Sequence, residues 1–204
     1  MKILLLGPPA CGKGTIGTLL SEKLGLPLIS VGKLLRELPE KHPHYKEIHK
    51  YMDKGELPSQ KLVAKIIKER VGDEDCKKGY IMDGWGRRME GFEFFDPDFD
   101  LILFLNITEE ESVRRVEGRR VCKATGKTYN ISTMSKEELA GCESDFIQRD
   151  DDKKEVVNHR WEVYRVETFP VIESLRSKKS FVEVNAEASP EEVFKNVVKA
   201  LGLD

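Results

Sequence analysis

An α/β fold in three layers, with a five-stranded parallel sheet between two layers of helices, is what the sequence predicts. Three observations predict it. Short apolar runs alternate along the 204 residues with segments whose apolar side chains recur at helical spacing. Two of those runs, Ile3–Leu6 and Leu101–Leu105, are apolar throughout, as strands buried on both faces should be. The first run, Ile3–Leu6, passes directly into Gly7-x4-Gly12-Lys13-Gly14-Thr15 and then a helical pattern. Strand, glycine loop and helix in that order form a phosphate cradle, the P-loop. Glycines let successive N–H groups turn inward, Lys13 supplies a point charge for the β- and γ-phosphates, and the helix N-terminus adds its dipole. In one respect the loop departs from the usual pattern: Gly14 follows Lys13, and the hydroxyl, Thr15, comes one residue later. The expected ligand is a nucleoside triphosphate.

The elements follow in order. Leu19, Leu20 and Leu24 mark the first helix, with Gly25 as its C-terminal cap. Leu28-Ile29-Ser30 is a short strand, and SVGKLLR turns into a helix that carries Arg36. Residues 39–58 are polar, and His42, His44 and His49 there read as surface imidazoles. Ser59 can cap a helix with the stripe Leu62, Val63, Ile66 and Ile67. Tyr80-Ile81-Met82 is the third strand. It ends in Asp83-Gly84-Trp85-Gly86-Arg87, where an acid at a strand's carboxyl edge beside the loop can hold a water of Mg²⁺. Leu101–Leu105 is the fourth strand, and Thr108-x-x-Glu111 has the form of a capping box. The helix behind it carries Arg114, Arg115, Arg119 and Arg120, and the i,i+4 spacing of Arg115 and Arg119 predicts one shared face.

Residues 121–149 break the rhythm. Turn formers and weak alternation predict an inserted β-rich flap, with a helical turn at Ser135-x-x-Glu138. Arg149 closes it, and a helix with Val156, Val157, Arg160, Trp161 and Tyr164 brings Arg160 back toward it. Pro170 marks a kink or boundary. Phe181–Val184 is the last strand, and Ser189-Pro190-Glu191-Glu192 opens the last helix.

Composition bounds the function. A net charge of −2 argues against a nucleic-acid binder, and no apolar stretch reaches 18 residues, so neither a nucleic acid nor a membrane is an expected partner. The opening apolar run is too short for a secretory leader, and scattered cysteines fit a reducing cytoplasm.

Taken together, these blocks resemble the adenylate kinases, from residue 2 to about 200 and in the same order. In that family too, glycine follows the loop lysine. The resemblance implies a single kinase domain with core 1–29, 59–120 and 150–204, a helical monophosphate-binding segment 30–58 and a lid 121–149. It implies ATP on Gly7, Pro8, Ala10, Cys11, Gly12, Lys13, Gly14 and Thr15, with Arg115, Arg119 and Tyr129 over it. AMP would meet Ser30, Val31, Arg36, Gly84, Arg87, Arg149 and Arg160. Lys13, Arg87, Arg119, Arg149 and Arg160 would clamp the transferring phosphoryl group, and Asp83 would hold Mg²⁺ through water. The implied reaction is transfer from Mg-ATP to AMP, giving two ADP, in a monomer that binds small nucleotides.

Departures gather at the acceptor base. Val31 replaces a hydroxyl residue, and Gly91 stands closest to a glutamine that reads adenine in the family. CMP, UMP or relaxed use of acceptors are therefore alternatives, as is a nucleotide-binding module without transfer. In the flap, Cys122, Cys142 and Asp145 occupy places that carry zinc in some relatives. Thr125 is a poor fourth ligand, so the expectation is a lid held by packing, with two free thiols.

Overall fold

The computed structural model describes residues 1–132, 134–142, 145–149, 152–178 and 180–203, with the backbone alone of Lys154. Asp150 and Asp151 lie outside them. The sheet has five parallel strands: β1 (Lys2–Leu6), β2 (Leu28–Ser30), β3 (Tyr80–Asp83), β4 (Leu101–Asn106) and a last strand (Phe181–Asn185), in the order β2-β3-β1-β4-last. β1 sits in the middle with its apolar side chains divided between two cores. Ile3 and Leu5 pack with Ile16 and Leu20 of α1 (Lys13–Leu24) and with Val193 and Val197 of the C-terminal helix (Pro190–Ala200). Leu4 and Leu6 face the opposite layer, where Val63, Ile67, Trp161 and Ile172 lie. Period-2 alternation in a strand covered on both sides thus gives the three layers.

The chain leaves β1, crosses outward to β2, returns through β3 and only then passes to β4 on the other side of β1. Parallel order with this reversal opens a crevice at the carboxyl ends of the strands. Register sets Asp83 beside both Leu5 and Ser30 at that edge.

Between β2 and β3 run three helices, α2 (Val31–Arg36), α3 (Tyr45–Met52) and α4 (Gln60–Val71). Ser59 stands at the N-cap of α4 without a side-chain bond, so its hydroxyl does not cap as expected. His49 is not a surface imidazole either: it stacks on Tyr45 at 4.1 Å, with Nε2 buried and unbonded. Beyond β3 come α5 (Met89–Phe94) and α6 (Glu109–Gly118). Thr108 caps α6 by accepting from the Glu111 N–H at 3.3 Å, but the return half of the box is missing. Glu187 Oε1 accepts from Thr108 N instead, at 3.0 Å.

α6 stops at Gly118, where a Cβ would meet Asn130 Oδ1 and Ser132 Oγ well inside contact distance. Arg119 therefore begins β5 (Arg119–Cys122), which pairs antiparallel with β6 (Thr128–Asn130) and β7 (Phe146–Ile147). This three-stranded sheet, with the capping-boxed turn α7 (Lys136–Leu139), is the flap that residues 121–149 predict. Its cysteines correct the sequence reading. Cys122 and Cys142 are joined as a disulfide across a separation of 20 residues, so they are not free thiols. Sulfurs bonded to each other offer no thiolate, and the candidate zinc set with Asp145 is thereby dismantled. Among the described residues no cluster of three metal-ligating side chains exists.

α8 (Lys154–Val163) then runs through a π-helical turn (Tyr164–Thr168) into α9 (Phe169–Leu175). Pro170 explains the wide turn: it has no N–H to give, and its ring crowds the carbonyl one turn back. The last strand is β8 and the last helix α10, with Ser189 accepting from the Glu192 N–H as its cap. No helix among the described residues is long and apolar enough to cross a membrane.

Candidate active site

The loop between β1 and α1 is shaped by backbone that side chains would block. Gly7 has φ +151°, and a Cβ there would meet the Leu105 carbonyl oxygen at 2.4 Å and Cys11 Sγ at 2.5 Å. Ala10 and Gly12 also have positive φ, 57° and 96°. Cys11 is buried and fills the space under Gly7. Lys13 Nζ folds over the loop, donating to the carbonyls of Gly7 at 2.8 Å and Pro8 at 2.9 Å. Its third contact is Cys11 Sγ at 3.3 Å, and an ammonium held by two neutral carbonyls and a sulfur exchanges them readily for phosphate oxygens. Gly14 meets nothing within 4 Å and Thr15 is exposed, so the residues after Lys13 open toward solvent.

Ser112 anchors the loop from behind. Its buried hydroxyl donates to the Pro9 carbonyl at 2.6 Å and accepts from Trp161 Nε1 at 2.9 Å, tying loop, α6 and α8 together. Nothing in the sequence marks this serine, because its partners are distant in the chain.

Asp83 ends β3 at the same edge. Ser30 Oγ donates to its Oδ2 at 3.3 Å, while Oδ1 is buried and has no partner. An unpaired buried carboxylate oxygen beside a phosphate cradle suits a hydrated divalent cation, which Mg²⁺ accompanying a triphosphate would be. Those residues fit Mg²⁺ held through water.

Arg87 lies across a tight glycine: a Cβ at Gly84 (φ +89°) would stand 3.1 Å from Arg87 Nη2 and 3.7 Å from Val31 Cβ. Among the described residues Arg87 has neither an ion pair nor a side-chain hydrogen bond. A half-buried guanidinium with five unsatisfied donors is a receptor for an anion. Its neighbour Arg88 is different, paired through two bonds of 3.0 Å to Glu167. Arg36 folds back over Gly32, its Nη1 3.4 Å from where a Cβ would be. Val31 is buried in the apolar floor beside Trp85.

Arg115 and Arg119 do not share a helix face, because the helix ends between them. Arg115 Nε donates to Glu111 Oε1 at 2.6 Å, and its Nη2 donates to the Ala186 carbonyl at 2.7 Å. Its Nη1 lies 4.0 Å from the Cβ position of Gly12, which puts a cation at the loop. Arg119, on β5, donates to both oxygens of Asp152, through Nε at 2.8 Å and through Nη2. Arg160 Nη1 approaches the same carboxylate at 3.9 Å, and the Arg149 carbonyl accepts from Asp152 N at 3.1 Å. Asp152, 4% exposed, therefore gathers the hinge arginines. A run of three aspartates gave no signal as to which one would do so. Arg120 is no ligand but a helix cap, donating to the carbonyls of Glu117 at 3.0 Å and Arg119 at 2.6 Å. Arg114 pairs with Glu111 at the surface. Tyr129, expected over the triphosphate, is 3% exposed and stacks edge-on against Phe146 at 5.3 Å. Its ring belongs to the packing of the flap.

Gly91, in the first turn of α5, is closely covered: a Cβ there would lie 3.1 Å from Gln60 Oε1 and 3.3 Å from the Trp85 ring. Gln60 went unnoticed in the sequence because a glutamine at a helix start reads as surface.

A family model described as adenylate kinase matches residues 5–180. The chain is 37% identical over 213 residues to an adenylate kinase of Clostridium tetani, with 99% of each chain covered. It is 38% identical over 213 residues to one of Thermodesulfovibrio yellowstonii, covering 98% of this chain and 99% of that one. To one of Clostridium botulinum it is 36% identical over 216 residues and the whole of both chains.

Proposed function

The chain belongs to the adenylate kinase family, and from that premise we propose that it moves the γ-phosphoryl group of Mg-ATP reversibly onto AMP, giving two ADP. That it is a phosphotransferase acting on nucleoside monophosphates follows from the family; ATP as donor and AMP as acceptor are our reading. The observation that carries it is Arg87, a half-buried guanidinium without a partner among the described residues, at the same carboxyl edge of the sheet as Lys13. One cation faces each side of a single crevice, as transfer between two phosphorylated ligands requires.

In this reading the loop amides and Lys13 hold the triphosphate, with Arg115 beside Gly12. Arg36 and Arg87 hold the monophosphate's anion. Mg²⁺, when bound with the triphosphate, neutralises charge on its oxygens, and Asp83 orients the water shell. Arg119, Arg149 and Arg160, at the junction of flap and core, close over the transferring group and exclude water. No covalent intermediate is needed, since positioning and preorganised charge do the catalysis. The division into core, monophosphate segment 30–58 and lid 121–149, and a monomeric enzyme, belong to the same proposal; the Cys122–Cys142 disulfide removes the ground that scattered thiols gave for a reducing cytoplasm.

The test is ADP formation from Mg-ATP with AMP, CMP, UMP, GMP or no acceptor. A rate favouring AMP supports the proposal. Equal rates with several acceptors, or a preference for another base, overturn its choice of acceptor.

A further inference from the structure

The topology brings two helix beginnings together on the acceptor side. A helix that leads into a parallel strand runs against it, so the N-terminus of α4, ahead of β3, lies at the sheet's carboxyl edge. α5 starts from that edge as well, because it follows β3. The first residue of α4 is Gln60, and the first turn of α5 holds Gly91, which is where the two meet.

Gln60 is 5% exposed. Its Nε2 donates to the Pro58 carbonyl at 3.0 Å, and among the described residues it makes no other side-chain hydrogen bond. One Nε2 hydrogen and both lone pairs of Oε1 remain unspent. A carboxamide held by one bond, with its Oε1 not sealed from solvent, has hydrogen bonds to offer a ligand. The other buried polar groups near the crevice, Ser112 and Asp152, are already bonded within the protein. Beside Gln60 lies the Trp85 ring, 3.3 Å from where a Cβ of Gly91 would stand, while Val31 lies on the Gly84 side, 3.7 Å from the Cβ position there. A Cβ at Gly91 would press on Gln60 Oε1 at 3.1 Å, so the glycine lets the carboxamide lie where it does.

We infer that the Gln60 carboxamide reads the Watson–Crick edge of the acceptor base and selects a 6-aminopurine over a 6-oxopurine; this rests on the acceptor site proposed above. Oε1 accepts from the exocyclic amino group, and the free Nε2 hydrogen is donated to the adjacent ring nitrogen. A 6-oxo base turns an oxygen toward Oε1. The amide cannot flip to suit it, because flipping would set Oε1 against the Pro58 carbonyl.

AMP and IMP differ at this edge, which makes them the probes. With saturating Mg-ATP, kcat/KM is measured for both in the wild type and in Gln60→Ala. The wild type should favour AMP by about 10- to 100-fold. Gln60→Ala should lose about that factor on AMP, mainly through the acceptor KM, with IMP and the KM for Mg-ATP unchanged. If Gln60→Ala melts, Gln60→Met, which keeps the length without the amide, takes its place. An AMP/IMP ratio that survives the substitution, or a wild type indifferent to the two, overturns the inference. A folded wild type that phosphorylates no monophosphate at all overturns the acceptor site itself, and the two failures are distinguishable.

Discussion

Arg115 Nε lies 2.6 Å from Glu111 Oε1, one helical turn before it, and this bond aims the guanidinium at the glycine loop. The other end of the arginine is fixed by the Ala186 carbonyl. Arg115 is thus held in place before any nucleotide arrives, so its charge costs no reorganisation on binding.

Glu111→Gln should therefore raise the KM for Mg-ATP about 5- to 10-fold, from loss of one charged hydrogen bond, and leave the acceptor KM unchanged. The same carboxylate gives a pH dependence. Arg114 first, then Arg115, hold the Glu111 carboxyl below its ordinary value against the opposing effect of burial. A carboxyl depressed in the folded state stabilises it fully above the unfolded value of about 4.3, and the contribution is lost as pH falls through the folded value. Urea melts should show the wild type ahead of Glu111→Gln at pH 7, with the gap closing below about pH 4.

Arg87→Ala should lower kcat/KM about 100- to 1000-fold while Mg-ATP binding, measured by titration, is retained. Arg87→Lys should recover only part of the loss, because an ammonium cannot make the planar two-point contact with a phosphate. Unchanged turnover in the alanine variant would remove Arg87 from the anion site.

Asp152→Ala removes the buried carboxylate that accepts from Arg119 Nε and Nη2. Removing one partner of a buried pair costs about 3–5 kcal/mol, here at the hinge between flap and core. Amide exchange should accelerate across β5 and β7, and kcat should fall more than the KM of either substrate. Protection that stays as in the wild type would assign the pair no structural role.

The disulfide between Cys122 and Cys142 closes a loop of 20 residues inside the flap. Loop-closure entropy makes such a link worth about 3 kcal/mol to the element it closes. Cys122→Ser with Cys142→Ser should speed exchange in β6 and α7 and leave the five-stranded core unaltered. Thiol labelling under denaturation without reductant should find only Cys11 and Cys76, the two free cysteines.

Much of this was legible in the chain. All five strands of the main sheet fall where short apolar runs predict them, most plainly the central β3, β1 and β4, since a central parallel strand is apolar at consecutive positions. The glycine loop was legible because positive φ and close approach admit no other residue at Gly7. Asp83 was legible from its place at the end of a strand. Spacing failed where a helix ended early: Arg115 and Arg119 look like i,i+4 partners, but Asn130 docks on Gly118 and turns the second arginine onto a strand. The surroundings of Tyr129 were not legible for a related reason: its ring packs edge-on against Phe146, which comes from a distant part of the flap.

By itself the sequence determined the layer order, the phosphate cradle and the stock of arginines, all of which follow from local pattern: burial periodicity, glycine geometry and charge. Only the tertiary structure decided which of those arginines are held by carboxylates of the protein and which, among the described residues, keeps its donors. Asp152, Glu111 and Glu167 take up Arg119, Arg115 and Arg88, while Arg87 keeps its donors. The same holds for the cysteines, which reached each other across the flap, and for Gln60, which became buried against Gly91. Each depends on partners brought close from distant parts of the chain, and no local pattern encodes such a distance.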